Sequence, residues 1–402
     1  MMNGTAYQSG DENSIKIIVS FLDLPDDVLF SIFRRLDLTS LSVLCRVCHK
    51  LNDLLNSDYT WMFFAENFNV LRSINDNVFS LKEKCRISQN RENGTYYESL
   101  LTNFSGRQLP WVQYHDGKVL VSSKNVIQTF NPVRGKRWKV NKTNSLYKLQ
   151  RDVTKFVIKE ERIVSGCLDG SIHVWESNGA HTVVTNAHSM DTQAVDCHKS
   201  IVVSGSRDAT VKVFGLQSDG HSGIAGVEEK CCLPVGDRVW TLSLSPCGSF
   251  CACGTAFCEG DAPISILDLN KQCAVCTLGS EYKVGAGVLD MQYENEHILL
   301  TCGYDTFVRM WDLRINKCVC AWEQKFDCAY YCLRSDGHRN IFAGTSRHGS
   351  IDLWDKRHAK SPVQAFYIGY KNSPVYSLTF DSNRLYAALD VQVKFLDFSR
   401  YK

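Results

Sequence analysis

Eighteen cysteines and eleven histidines are the residues of this 402-residue chain best suited to chemistry. Two pairs, Cys45-x-x-Cys48 and Cys273-x-x-Cys276, have the spacing of half a tetrahedral zinc site. A full site needs a second pair, and no Cys-x-x-Cys or His-x-x-x-His follows either one closely. Cys197-His198, and Cys332 with His338, set a thiol near an imidazole, the arrangement that activates a nucleophile. Neither lies in a recognisable nucleophile motif. Gly285-x-Gly287 lacks the third glycine and the strand–turn–helix setting of a dinucleotide loop, and there is no Walker loop. The residues therefore predict no catalytic group, no metal and no cofactor. An enzyme with one hyper-reactive thiol stays as an alternative.

The thiols need a compartment before they carry meaning. The start, Met1-Met2-Asn3-Gly4-Thr5, has no basic region, and the apolar stretch from Ile15 to Leu24 is broken by Lys16, Ser20 and Asp23. That makes a poor signal peptide. No run approaches the ~18 apolar residues of a membrane span. The expected location is cytoplasmic and/or nuclear, where thiols stay reduced. The Asn-x-Ser/Thr matches at Asn3, Asn93, Asn103 and Asn141 are then chance. The cysteines are expected to pack as small, mostly buried residues. Lys and Arg number 45 against 43 Asp and Glu, a net charge of +2. No nucleic acid and no membrane is implied as a partner.

What positions the rest is a repeat. Arg162-Ile-Val-Ser-Gly-Cys-Leu-Asp-Gly-Ser-Ile-His-Val-Trp175 reads as strand, tight turn, strand. Copies end at Phe214, Trp311 and Trp354, with weaker ones at Phe130, Leu267 and Leu396. The seven ends are spaced by 45, 39, 53, 44, 43 and 42 residues. The outlier contains a Gly/Pro insertion, Ala256 to Pro263. The others match the roughly 40–45-residue period of a four-stranded propeller blade. Cys273 and Cys318 follow Asn270-Lys271 and Asn316-Lys317, so they mark the same place in two repeats. The first hundred residues do not repeat. Pro25 and the acidic Asp26 and Asp27 open a helix whose apolar positions are Val28, Leu29, Ile32, Phe33 and Leu36. Thr39-Ser40 can cap a second helix with Leu41 and Leu44; a third carries Val47, Leu51, Leu54 and Leu55. Met62 to about Asn90 has helical character and no Pro or Gly, which predicts a stiff spacer.

The Trp311-Asp312 and Trp354-Asp355 pairs resemble the signature dipeptide of WD repeats. His188, Ser204 and Asp208 resemble that family's blade-internal hydrogen-bond set, with Phe214 in place of its Trp. Leu22 to Trp61 resembles an F-box in the order and spacing of its apolar residues. Together they resemble the F-box/WD-repeat substrate receptors of cullin–RING ubiquitin ligases. The fold so implied is an all-β seven-bladed propeller preceded by a small all-α F-box and a helical linker. The expected boundaries are a tail at 1–20, the F-box at 21–62, the linker and a propeller-closing strand at 63–105, and the propeller at 106–402. Thr95 to Phe104 is the place for that strand, because the last blade of the family borrows one from before the first repeat.

The resemblance implies a non-catalytic subunit whose F-box binds a Skp-type adaptor, and through it a cullin–RING ligase, while the propeller binds a protein substrate. On the F-box pattern the adaptor-binding positions are Leu24, Pro25, Val28, Leu29, Ile32, Leu36, Leu41, Leu44 and Val47. Some of these must instead pack internally. Candidate substrate residues lie on the inner strands and adjoining turns: Asp196, Arg207, Arg238, Trp240, Asp290, Tyr331 and Tyr376. Arg207 matches a phosphate-reading position of relatives that bind phosphorylated segments, yet such a reader needs several converging Arg. A mixed aromatic and acidic surface for a basic or unmodified segment is the favoured expectation. Asp196 and Asp290 as structural carboxylates is the other reading. A WD-repeat scaffold without a ligase role is the alternative for the whole chain.

Overall fold

The computed structural model describes all residues except 1–19, 72–78, 132–138, 141–145, 178, 219–223, 370–371 and 400–402. The expected tail, and the Asn3 and Asn141 matches, lie outside the described residues. The chain divides into two compact units, Met1–Asn67 and Phe68–Lys402.

Among its described residues the first unit holds a short 3-10 turn, Phe21–Asp23, and four short α-helices: α1 (Asp26–Phe33), α2 (Leu38–Leu44), α3 (His49–Asn56) and α4 (Asp58–Asn67). Pro25 caps α1, with Asp26 and Asp27 at its positive end. The cap of α2 is Asp37, whose carboxylate accepts from the Ser40 N–H at 2.8 Å. The expected capping pair Thr39-Ser40 lies inside the helix instead. A carboxylate two residues before Thr39 already satisfies the free amide. Leu29, Phe33, Leu41, Leu51, Leu55, Trp61 and Phe64 are buried. Trp61 Nε1 donates to the Leu55 carbonyl at 2.7 Å, which ties α4 to the end of α3.

The second unit is a seven-bladed propeller. Its blades run 112–148, 153–184, 192–234, 239–278, 288–323, 330–367 and 377–397, the last completed by Tyr97–Asn103. That borrowed strand pairs antiparallel with Gln392–Asp397 and closes the ring. Closure removes the bare sheet edge an open ring would expose. The seven repeat ends, Phe130, Trp175, Phe214, Leu267, Trp311, Trp354 and Leu396, all fall on third strands and are buried. The Asp that follows four of them holds the next turn: Asp268 accepts from the Asn270 N–H at 3.0 Å and Asp355 from the Arg357 N–H at 2.9 Å. The 53-residue interval has two sources. The loop 256–263 is one, and the long hairpin Thr210–Ser218 with Ile224–Pro234 is the other.

The predicted spacer is not one helix. Residues 68–71 are non-helical, and a new helix, α5 (Leu81–Glu92), starts at Ser80. Ser80 Oγ accepts from the Glu83 N–H at 3.3 Å and the Glu83 carboxylate accepts from the Ser80 N–H at 3.0 Å, a reciprocal cap. α5 packs on the last two blades. Ile87 and Leu71 join a core with Phe366, Ile368, Leu396 and Phe398. Arg91, fully buried, donates to the carbonyls of Asn69 at 3.2 Å and Ser382 at 3.4 Å.

Candidate functional site

In the helical unit the nine adaptor-binding candidates separate by burial. Leu29 and Leu41 are wholly covered and serve the core, a correction to their assignment as contact residues. A 40-residue bundle has few side chains to bury, so its central leucines go inward. Leu24, Ile32, Leu36 and Leu44 are half-buried, and Pro25 is exposed. Val28 is 39% exposed and Val47 63%. Phe21, Leu22 and Val43, outside the candidate set, are also exposed. Exposed apolar side chains on so small a unit are the kind a partner can cover.

In the propeller the inner strands begin at one mouth of the central channel. A cavity of about 250 Å³ opens there, lined by Leu109, Trp111, Lys155, Trp240, Leu289, Tyr304, Tyr331 and Tyr376. The rings form an arc: Trp240–Tyr304 at 5.5 Å, Tyr304–Tyr331 at 6.1 Å and Tyr331–Tyr376 at 6.1 Å between centroids. So the candidates Trp240, Tyr331 and Tyr376 come together. Tyr304 and Trp111 were missed, because they come from a turn and from a residue just ahead of a strand. Gly287 is what lets the arc close. A Cβ there would lie 2.6 Å from Trp240 Cζ3 and 2.6 Å from the Ala256 carbonyl oxygen. Further exposed apolar residues, Leu168, Met190, Val284 and Phe326, occupy loops at the same ends of the strands.

Asp196 and Asp290 do not present an acidic surface. Each inner strand is the edge of its own sheet, so its outward N–H groups need acceptors. Asp196 accepts from the Leu244 N–H of the next inner strand at 2.8 Å, and Asp290 from the Leu333 N–H at 3.1 Å. Ser243 and Gln113 do the same for Tyr293 and Ile158. Both carboxylates are also charge-paired. Asp196 meets Lys159 at 2.6 Å; Asp290 meets Lys155 at 3.1 Å and Arg334 at 2.9 Å. Burial opposes ionisation of Asp290, but Lys155 and Arg334 beside it hold its carboxyl below the usual value. This network crosses the channel beneath the aromatic mouth. The structural-carboxylate reading is the one the geometry favours.

Arg207 and Arg238 stay off the mouth. Arg207 lies in a turn of the third blade and pairs with Asp191 at 3.3 Å. Arg238 turns toward the 256–263 loop, where its Nη2 meets Cys258 Sγ at 3.1 Å. No arginine lines the mouth cavity among the described residues. The blade-internal set is built as its residues imply. His188 Nδ1 meets Asp208 at 3.0 Å and its Nε2 meets Ser204 Oγ at 2.7 Å. The carboxylate can only accept, so Nδ1 carries the proton and Ser204 donates to Nε2. Burial pushes the His188 pKa down, against the pull of Asp208.

Eight of the eighteen cysteines are buried and four are exposed. Burial pushes the thiols of Cys85, Cys167, Cys197 and Cys253 up to about 12. Cys197, beside His198, is therefore a poor nucleophile. No group of three His, Cys, Asp or Glu is placed to hold a metal among the described residues. None of their helices is long and apolar enough to cross a membrane.

A small helical bundle with exposed apolar side chains and a closed propeller with an aromatic mouth make a two-module architecture. The F-box-like family matches residues 21–65. The WD40 β-propeller domain of Doa1 aligns with a TM-score of 0.58 at 15% identity, covering 75% of this chain and 97% of that one. F-box/WD repeat-containing protein 4 of Homo sapiens is 37% identical over 388 residues, 93% of this chain and 92% of its own. The Mus musculus protein of that name is 36% identical over the same shares. The chain belongs to the F-box/WD repeat-containing protein family. Dactylin is another name for protein 4 of that family, so the chain is similar to dactylin over 93% of its length.

Proposed function

We propose that this protein is the substrate-recognition subunit of an SCF-type cullin–RING ubiquitin ligase, acting in the cytoplasm and/or nucleus. The F-box unit binds a Skp-type adaptor, and the propeller mouth holds a protein target for ubiquitination and proteasomal degradation. The chain itself is non-catalytic: it raises the local concentration of the target at a ligase it does not contain. The observation that carries this reading is the exposed apolar set Val28, Val43 and Val47 on a unit that matches the F-box-like family. Among the described residues the mouth is lined by aromatic rings and one cation, Lys155, without the converging arginines of a phosphate reader, which supports recognition of an unmodified segment.

Co-purification of the full chain with a Skp-type adaptor tests the first half. Leu24→Ala with Pro25→Ala removes adaptor binding in a folded protein; retained binding counts against the proposal. Reconstituted ubiquitin transfer to a captured target tests the second. A WD-repeat scaffold binds the target without promoting transfer.

A further inference from the structure

Beneath the aromatic arc the channel floor carries two cations and one carboxylate. Lys155 Nζ and the Arg334 guanidinium share Asp290, and both lie over the Trp111 ring, at 4.4 and 5.5 Å from its centroid. The floor is thus one positive charge in excess, in a setting where Lys155 is nearly wholly buried. Lys155 has three N–H donors and spends two, on Asp290 at 3.1 Å and Thr241 Oγ1 at 3.3 Å. Trp111 is more than nine-tenths buried, lines the same cavity, and its Nε1–H has no acceptor. Buried donors without acceptors are costly, and the natural remedy is an acceptor supplied by a ligand. Four aromatic rings alone fit a cation as well as an apolar group. The positive floor decides between them, because a second cation brought to Lys155 and Arg334 would be repelled at low dielectric.

Resting on the proposed function above, we infer that the mouth takes from its protein target an apolar side chain adjoining a carboxylate. The side chain lies against Trp240, Tyr304, Tyr331 and Tyr376, and the carboxylate faces Lys155. A C-terminal apolar residue and an internal apolar–acidic pair share this chemistry. A methylated lysine or an arginine does not fit it.

Matched probes test the inference on the full chain. Binding of phenylpropionate, phenylpropanol and phenylpropylammonium is followed by saturation-transfer NMR. The carboxylate is expected to bind about tenfold more tightly than the alcohol, and the ammonium most weakly. Tyr331→Ala weakens all binding by about fivefold or more. Lys155→Met removes the advantage of the carboxylate over the alcohol; if that variant does not fold, the Tyr331→Ala effect and the ranking of the probes still decide. Peptides ending in Leu with a free or an amidated C-terminus, beside one with an internal Leu-Glu, then separate the two sources of the carboxylate. Ammonium binding equal to or tighter than carboxylate, or no response to Tyr331→Ala, overturns the inference. A chain that binds the adaptor yet prefers the ammonium keeps the proposed function and loses this one. A chain that prefers the carboxylate but binds no adaptor does the reverse.

Discussion

Asp290 joins Lys155, Arg334 and the Leu333 N–H across the channel, so its ionisation is tied to folding. Its folded pKa lies below the ordinary 3.8. The stability it contributes is therefore fully present above pH 3.8 and is lost as pH falls through the lower, folded value. Asp290→Asn leaves the buried Lys155 and the half-buried Arg334 uncompensated and is expected to cost about 3–5 kcal/mol at neutral pH. Thermal melts from pH 7 down to the acid limb check this: the variant melts lower at pH 7 and lacks this part of the acid loss. In the helical unit, Leu29→Ala empties a fully buried site and should cost about 2–5 kcal/mol. Val47→Asp, on an exposed side chain, should change stability by less than about 0.5 kcal/mol and still remove adaptor binding. Arg207→Glu breaks only a surface pair with Asp191, so its melting temperature should match that of the parent. Because Arg207 does not line the mouth cavity, binding there should also be unchanged.

At the scale of elements, the close approach at Gly287 positions the mouth. Gly287→Ala sets a methyl against Trp240 and two backbone carbonyls, so the ring or the strand must move. Overpacking of this kind costs about 1–3 kcal/mol, and Trp240 fluorescence should report the shift. The borrowed strand Tyr97–Asn103 covers the edge of Gln392–Asp397. Removing residues 97–103 should leave that edge bare, and the protein should aggregate rather than merely soften, as light scattering on heating would show. α5 is part of the same device. Its buried Arg91 bonds to carbonyls of Asn69 and Ser382, so the chain entering the borrowed strand is fixed at both ends.

For the whole molecule, two sets of exposed apolar side chains lie on two separate units. Disabling one set should leave the other's binding intact. Val47→Asp should abolish adaptor capture and retain phenylpropionate binding, whereas Tyr331→Ala should do the opposite. The blade count and ring closure were legible because a repeat of fixed period states its own multiplicity, and because a ring without a closing strand exposes an edge. The aromatic candidates were legible because the period aligns the starts of the inner strands, at or next to which Trp240, Tyr331 and Tyr376 fall. Tyr304 was not, since it lies in a turn between the second and third strands of its blade.

The sequence by itself determined the architecture: periodic third-strand residues, a helical module of F-box spacing and a spare strand ahead of the first repeat. These are local patterns, written in short windows of chain. Only the tertiary structure decided which residues are free to bind. Leu29 and Val28 are neighbours in one apolar helix pattern, and packing buries the first and leaves the second in solvent. Asp290 looks like an acidic site until Lys155 and Arg334, 135 and 44 residues away, meet it inside the channel. Burial and charge pairing arise between distant segments, so no window of sequence contains them.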